Sequence, residues 1–235
     1  MNEILKAAAL EKQAGGEDEL ALINRQALRT LAADEVFTFR LAACDDQVDR
    51  DYERFTRETL QGLAEKFVGR TVLMDHQWSA GAQTARVYAA GVEESGGVQR
   101  LILRCYMPRC DRTQDTIVAM ESGILRECSV GLTVERVICG ICGANQLETL
   151  CQHRPGREYD GKLCVMDLDG AKDAYEVSLV AVPAQPGAGV IKSKRYGGAG
   201  GPQEPPEESG TEEEALMLAM AIQAQEEQRY GGVKR

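Results

Sequence analysis

Between Glu35 and about Arg195 the apolar residues fall in short runs broken by Gly, Asp and charged positions, and few stretches carry helical periodicity. Runs of this kind suit strands, so they commit the middle of the chain to a sheet. Val36 to Leu41, Thr71 to Met74, Ala85 to Ala90, Leu101 to Tyr106, Arg126 to Leu132 continuing into Thr133 to Ile138, and Glu176 to Val182 all read as strands. Leu60, Leu63, Ala64 and Phe67 lie at helical spacing, with Thr56 as N-cap and Gly69 after the last turn. Thr113 to Glu121 reads as another helix, closed by Gly123. Many short strands with few helices predict an α+β fold, a closed or partly closed β-barrel wrapped by peripheral helices.

The flanks are different. Residues 1–34 read as a helical N-terminal extension with Leu20, Ile23, Ala27 and Leu31 on one stripe. The tail, 196–235, carries eight glutamates against Arg229, Lys234 and Arg235, so it holds half of the net charge of -10. Its first half is a Gly/Pro/Glu linker. Thr211 and Glu214 then form a capping-box pattern ahead of Ala215, Leu218, Ala219 and Ile222 at helical spacing. The tail reads either as a solvated segment with a marginal helix or as a docking or self-processed one. The acidic balance argues against general phosphate-backbone binding, which relies on Lys and Arg. No stretch approaches the roughly 20 apolar residues of a membrane span, and the acidic N-terminus does not read as a signal peptide, so a cytosolic protein is expected.

Three segments put a reactive side chain in or beside an apolar strand: Leu73-Met74-Asp75-His76, Glu127-Cys128-Ser129-Val130-Gly131 and Tyr175-Glu176-Val177-Ser178-Leu179-Val180. A nucleophilic hydrolase needs a hydroxyl, a base to take its proton and a third group to orient that base. Ser129, His76 and Glu176 are candidates for these roles, and Gly131 would let backbone approach an acyl oxygen as an oxyanion site requires. Taken singly, each residue also has a plain structural reading. Cys128 is a rival nucleophile, but neighbours in a strand face opposite ways, so only one of Cys128 and Ser129 can face the base. Asp75 is an alternative orienter. Trp78 reads as a core or rim residue, or as a wall of a substrate groove.

Together these segments resemble the tailed-phage prohead maturation protease family, whose assemblin-like fold is shared with herpesvirus capsid proteases. The resemblance spans roughly Val36 to Ile191. It lies in Asp45-Asp46-Gln47-Val48-Asp49-Arg50-Asp51-Tyr52-Glu53-Arg54-Phe55, in Val68-Gly69-Arg70-Thr71 leading to Asp75-His76, and in Ser129-Val130-Gly131-Leu132. Its most specific part is Glu176-Val177-Ser178-Leu179-Val180-Ala181-Val182-Pro183-Ala184-Gln185-Pro186, close to the family's EVSLV-x-x-PA-x-P pattern. The resemblance implies a serine endopeptidase over residues 35–195, with His76 as general base, Ser129 as nucleophile and Glu176 as third member. It implies action inside an immature capsid in the host cytoplasm, on scaffold or the scaffold-like arm of the major capsid protein, and on itself. Lys194-Arg195 before the Gly/Pro/Glu tail is the kind of segment proteases cut, which makes removal of the tail an expectation. Related assemblin-like enzymes dimerise, which implies a homodimer here. Two rivals remain: a capsid assembly scaffold or protease-scaffold fusion, and a zinc-dependent adaptor on an inactive protease fold.

Cys139-Gly140-Ile141-Cys142 and Cys151-Gln152-His153 place four ligand-type residues close together in a chain with eight cysteines and two histidines. A CxxC turn presents two thiolates to one metal and a second pair closes a tetrahedron, so a structural Zn2+ site is expected within an insertion at about 139–164. Cys164 is an alternative ligand. A redox dithiol and free thiols are the other readings, and neighbouring Arg154, Arg157 and Lys162 admit nucleic acid as a less favoured partner. Asp45, Asp46, Asp49 and Asp51 lack the glycine and closing glutamate of a calcium loop, which argues against a metal there.

Overall fold

The computed structural model describes residues 16–183, 185 and 188–194. The first 15 residues of the extension, and the tail with its Thr211–Glu214 capping pattern, lie outside the described residues. α1 (Gly16–Asn24) leads through a 3-10 turn at Ala33–Glu35 into β1 (Val36–Asp45). β2 (Glu53–Phe55), α2 (Arg57–Phe67), β3 (Thr71–Met74), β4 (Ala85–Ser95), β5 (Val98–Pro108) and α3 (Asp111–Glu121) follow. β6 (Cys128–Cys139), the short β7 (Glu158–Tyr159) and β8 (Lys162–Leu163), β9 (Met166–Leu179) and β10 (Gly189–Lys194) complete the order.

Eight strands form one sheet in the order β10-β1-β5-β4-β3-β9-β2, with β6 on β9 as well. β3 and β2 pair different halves of β9 in parallel, whereas β6 pairs the whole of it antiparallel, so β6 takes the opposite edge of β9. The ends of the sheet approach at Glu127↔Gly189, an isolated bridge rather than a ladder. The expected barrel is therefore not closed among the described residues: the fold is α+β with a large, mostly open sheet. One bridge cannot propagate the alternating hydrogen bonds that continuous closure requires.

β1 is buried along nearly its whole length, which is why its sequence is almost uninterruptedly apolar instead of alternating. α2 forms as its sequence predicts. The Thr56 hydroxyl accepts the Thr59 N–H at 3.2 Å, and Leu60, Leu63 and Phe67 go into the core, each contributing about 2 kcal/mol of apolar burial. Gly62 permits close approach to the sheet, since a Cβ there would lie 2.8 Å from Ala171 Cβ on β9. Within the described part of the expected helical extension, α1 does not continue to residue 34. It ends at Asn24, whose side chain bonds the backbone of Leu31 in both directions, and its Ile23 is buried against Val36 and Tyr88. The β4–β5 hairpin is longer than its apolar runs suggest because Gly96 and Gly97 both take positive φ, the requirement of a tight two-residue turn. Among the described residues, no helix is long and apolar enough to cross a membrane.

Candidate functional site

The polypeptide leaves β3 through a turn that folds His76 back over the sheet. Asp75 and His76 have φ of 51° and 53°, and the Gln77 N–H donates to Met74 O at 3.0 Å, so both central residues of this turn are left-handed. Left-handed backbone at two consecutive non-glycine residues costs on the order of 1–3 kcal/mol each and persists where surrounding contacts over-determine it. Those contacts are present. The Asp75 N–H donates to Leu179 O at 3.0 Å, and the His76 N–H donates to Ser178 Oγ at 3.1 Å.

On β9, Glu176 and Ser178 are two residues apart and share a face. The Ser178 hydroxyl donates to Glu176 Oε2 at 2.6 Å, and Glu176 Oε1 lies 2.7 Å from His76 Nδ1. Because the carboxylate can only accept, Nδ1 carries the hydrogen of this bond, and Nε2 is the ring nitrogen left free of Glu176. The Glu176 side chain is 3% exposed and that of His76 is 42% exposed, so a buried anion holds an accessible base. Asp75, the alternative orienter, contributes backbone instead.

Register assigns the two rivals on β6. Ser129 pairs with Ser178 and Gly131 with Glu176, which puts Ser129 on the face of the His76–Glu176 pair. Cys128 pairs with Leu179 and turns into the core, where its thiol donates to Ala42 O at 3.4 Å. Burial, reinforced by Glu127, pushes the Cys128 thiol up to about 12, so it stays protonated and unreactive. No hydrogen bond joins Ser129 to His76. Ser129 lines a cavity of about 220 Å³ together with Asp49, Asp51 and Glu53, whereas Glu176 lines another of about 430 Å³ with Trp78 and Tyr175. Burial, with Asp49 and Asp51 adding to it, raises the Glu53 carboxyl.

Gly131 has a structural reason for being glycine. A Cβ there would lie 3.2 Å from Glu176 Cδ and 3.3 Å from Cγ, and closer still to Oε1. The missing side chain is the space the carboxylate occupies. Ser178 is the residue that sequence reasoning passed over. The signal was available, because it follows Glu176 at the strand period of two and so had to face the same way.

The second constellation is a candidate metal centre where β6 ends. Sγ of Cys139, Cys142 and Cys151 and a ring nitrogen of His153 all lie within 4.8 Å of one another, so the four can bind a metal ion. Gly143, with φ 75°, closes the Cys139–Cys142 turn by donating its N–H to Cys139 O at 2.8 Å. Burial opposes ionisation of Cys139, but backbone N–H groups of Cys142 and Ile141 outweigh it and bring the thiol down to about 7. His153 Nδ1 is buried without a hydrogen-bond partner, the state expected of a nitrogen shaped for a ligand. Its ring stands edge-on to Tyr159 at 4.6 Å. Cys164, fully buried beside the cluster, is pushed up to about 11 by burial and by Cys139, which marks it as a thiol next to the set.

Comparison of the chain with protein-family models, curated proteins and solved structures finds no match.

Proposed function

We propose that this chain is a serine endopeptidase of the prohead-maturation type. The observation that carries the reading is the buried Glu176 carboxylate bound to Nδ1 of accessible His76, with Ser129 on the same sheet face one strand away. In this reading Nε2 of His76 takes the Ser129 proton as the hydroxyl oxygen attacks a peptide carbonyl. Glu176 stabilises the imidazolium that forms, and Ser178 keeps the carboxylate aimed. The imidazolium then returns the proton to the leaving amine, and a water activated by the same nitrogen releases the acyl group. Ser129 and His76 share no hydrogen bond, and in this reading that bond forms when substrate binds.

The substrates in this reading are scaffold or the scaffold-like arm of the major capsid protein, and the chain itself, inside an immature capsid. The order of the His, Ser and Glu segments and the EVSLV-type strand support an assemblin-like relationship, in a version whose sheet stays open. The Cys139, Cys142, Cys151 and His153 set fits a structural Zn2+, because three thiolates and an imidazole form a closed tetrahedral donor set with no position for substrate. Coexpression of the wild type and Ser129→Ala with the cognate capsid protein tests the proposal by intact mass. Truncation of capsid protein, scaffold or protease with the wild type alone is expected, and equal masses in both cultures overturn it.

A further inference from the structure

We infer that the cavity beside the His76–Glu176 pair is a binding subsite for an acidic peptide segment, with Arg86 as the anion contact and Trp78 and Tyr175 as the apolar wall. As a substrate subsite it rests on the peptidase reading above. The cavity holds about 430 Å³, which is room for a few side chains. Its walls include Arg70, Thr71, Trp78, Gln83, Arg86 and Tyr175, and it reaches Glu176.

Trp78 is 72% exposed and Tyr175 38%, with their ring centroids 5.7 Å apart. Aromatic surface left in water beside a catalytic candidate is apolar area still available to a ligand. The charge that the wall exposes to a ligand is that of Arg86. Arg70 is neutralised by Asp173 at 3.0 Å. Arg86 is exposed and donates only to neutral acceptors, Gly69 O at 2.8 Å and Gln83 Oε1 at 3.5 Å, with no carboxylate at ion-pair distance among the described residues. The 3.5 Å contact is long and exchangeable for a ligand carboxylate, which the planar guanidinium fork suits.

Glu176 is an anion on the same cavity, but it is 3% exposed and both its oxygens are taken by His76 and Ser178, so Arg86 is the charged group a ligand can touch there. An exposed guanidinium with no carboxylate partner among the described residues is a contact that complements an anionic group. The ligand that satisfies both walls is a peptide carrying Asp or Glu next to an aliphatic or proline residue. Glu176, which holds the base, lines the same cavity.

Trp78 is the sole tryptophan of the sequence, so its emission reports on this cavity. Full-length Ser129→Ala protein, which keeps a peptide uncut, is titrated with a blocked hexapeptide bearing two glutamates beside leucine and proline, and with its glutamine counterpart. Saturable quenching or shift by the glutamate peptide is expected, with the glutamine peptide about tenfold weaker or worse. Arg86→Gln should erase the preference and Arg86→Lys should retain most of it. Absence of saturation, equal binding of the two peptides, or a preference that survives Arg86→Gln overturns the inference. The coexpression experiment fails separately. Binding without cleavage sinks the peptidase reading and leaves a peptide site, whereas cleavage without binding sinks the subsite alone.

Discussion

Replacing Gly131 with alanine adds one methyl group against the most constrained side chain of the site. The new Cβ would lie 3.2 Å from Glu176 Cδ and nearer to Oε1, where ordinary contact begins at 3.4 Å. The oxygen must therefore retreat by about 1 Å to reach a normal van der Waals separation. Glu176 has little freedom to do so, being held at 2.7 Å by His76 and at 2.6 Å by Ser178. A shift of that size breaks at least one bond of a buried carboxylate, so a loss of roughly 1–3 kcal/mol in unfolding free energy is expected. Misplacing the base by a comparable distance should lower kcat/KM by about 10²-fold. Urea denaturation measures the first quantity and peptide turnover the second. Repeating Gly131→Ala in a Glu176→Ala background isolates the cause: with the carboxylate gone, the methyl has room and its cost should vanish. An equal cost in both backgrounds, or wild-type stability in the single variant, refutes the account.

Ser178→Ala removes the hydroxyl that supports Glu176 and receives the His76 N–H. A fall in kcat of about tenfold, equivalent to ~1.4 kcal/mol, is expected, and unchanged kcat contradicts the role. Stripping metal from the Cys139, Cys142, Cys151 and His153 set with a chelator should lower the melting temperature by on the order of 10 °C, with Cys142→Ser giving the same value in calorimetry. Hydrogen bonding from Thr113 lowers the exposed Cys110 thiol, while burial raises Cys44 and Cys105 and holds Cys128 at about 12. Brief iodoacetamide treatment of metal-loaded protein at pH 8 should then label Cys110 first. Native labelling of Cys128, read by peptide mass spectrometry, would contradict the facing assigned to β6.

Periodicity was a good guide wherever one face of an element is buried. α2, the end of α3 at Gly123, and β3 fall where their sequences put them, and the strands bearing Ser129 and Glu176 and the strand leading into Asp75-His76 were readable as strands. It failed where a strand is solvated. β9 starts at Met166, ten residues before the expected Glu176, because its first half is polar and is held by its partners: Asp167 binds Arg54 at 2.6 Å, and Asp169 pairs with Arg136. The ends of the sheet approach only at the Glu127↔Gly189 bridge, a contact too short to leave a periodic pattern in the sequence. The choice between Cys128 and Ser129 needed register, which fixes facing for a whole strand at once. The metal cluster was the most legible feature, since ligand spacing is a local property. The sequence reading preferred His153 with Cys164 as the alternative, and the structure groups His153 with the three cysteines and leaves its Nδ1 buried without a partner.

β6 and β9 form one continuous zipper. Its teeth run from Cys128↔Leu179, beside the strained histidine turn, to Cys139↔Met166, where the sulfur cluster begins. Strand pairs open from their ends, and the end that opens first sets how far disorder travels on a given timescale. A metal at Cys139 would act as the zipper's stop, and the irregularities at Gly131/Leu132 and Thr133/Val134 lie between that stop and Glu176. Amide hydrogen exchange along β6 should therefore show a gradient that reverses with metal. With the clasp in place, protection is highest near Cys139; without it, exchange runs inward from that end and stalls at the irregularities before it reaches Ser129.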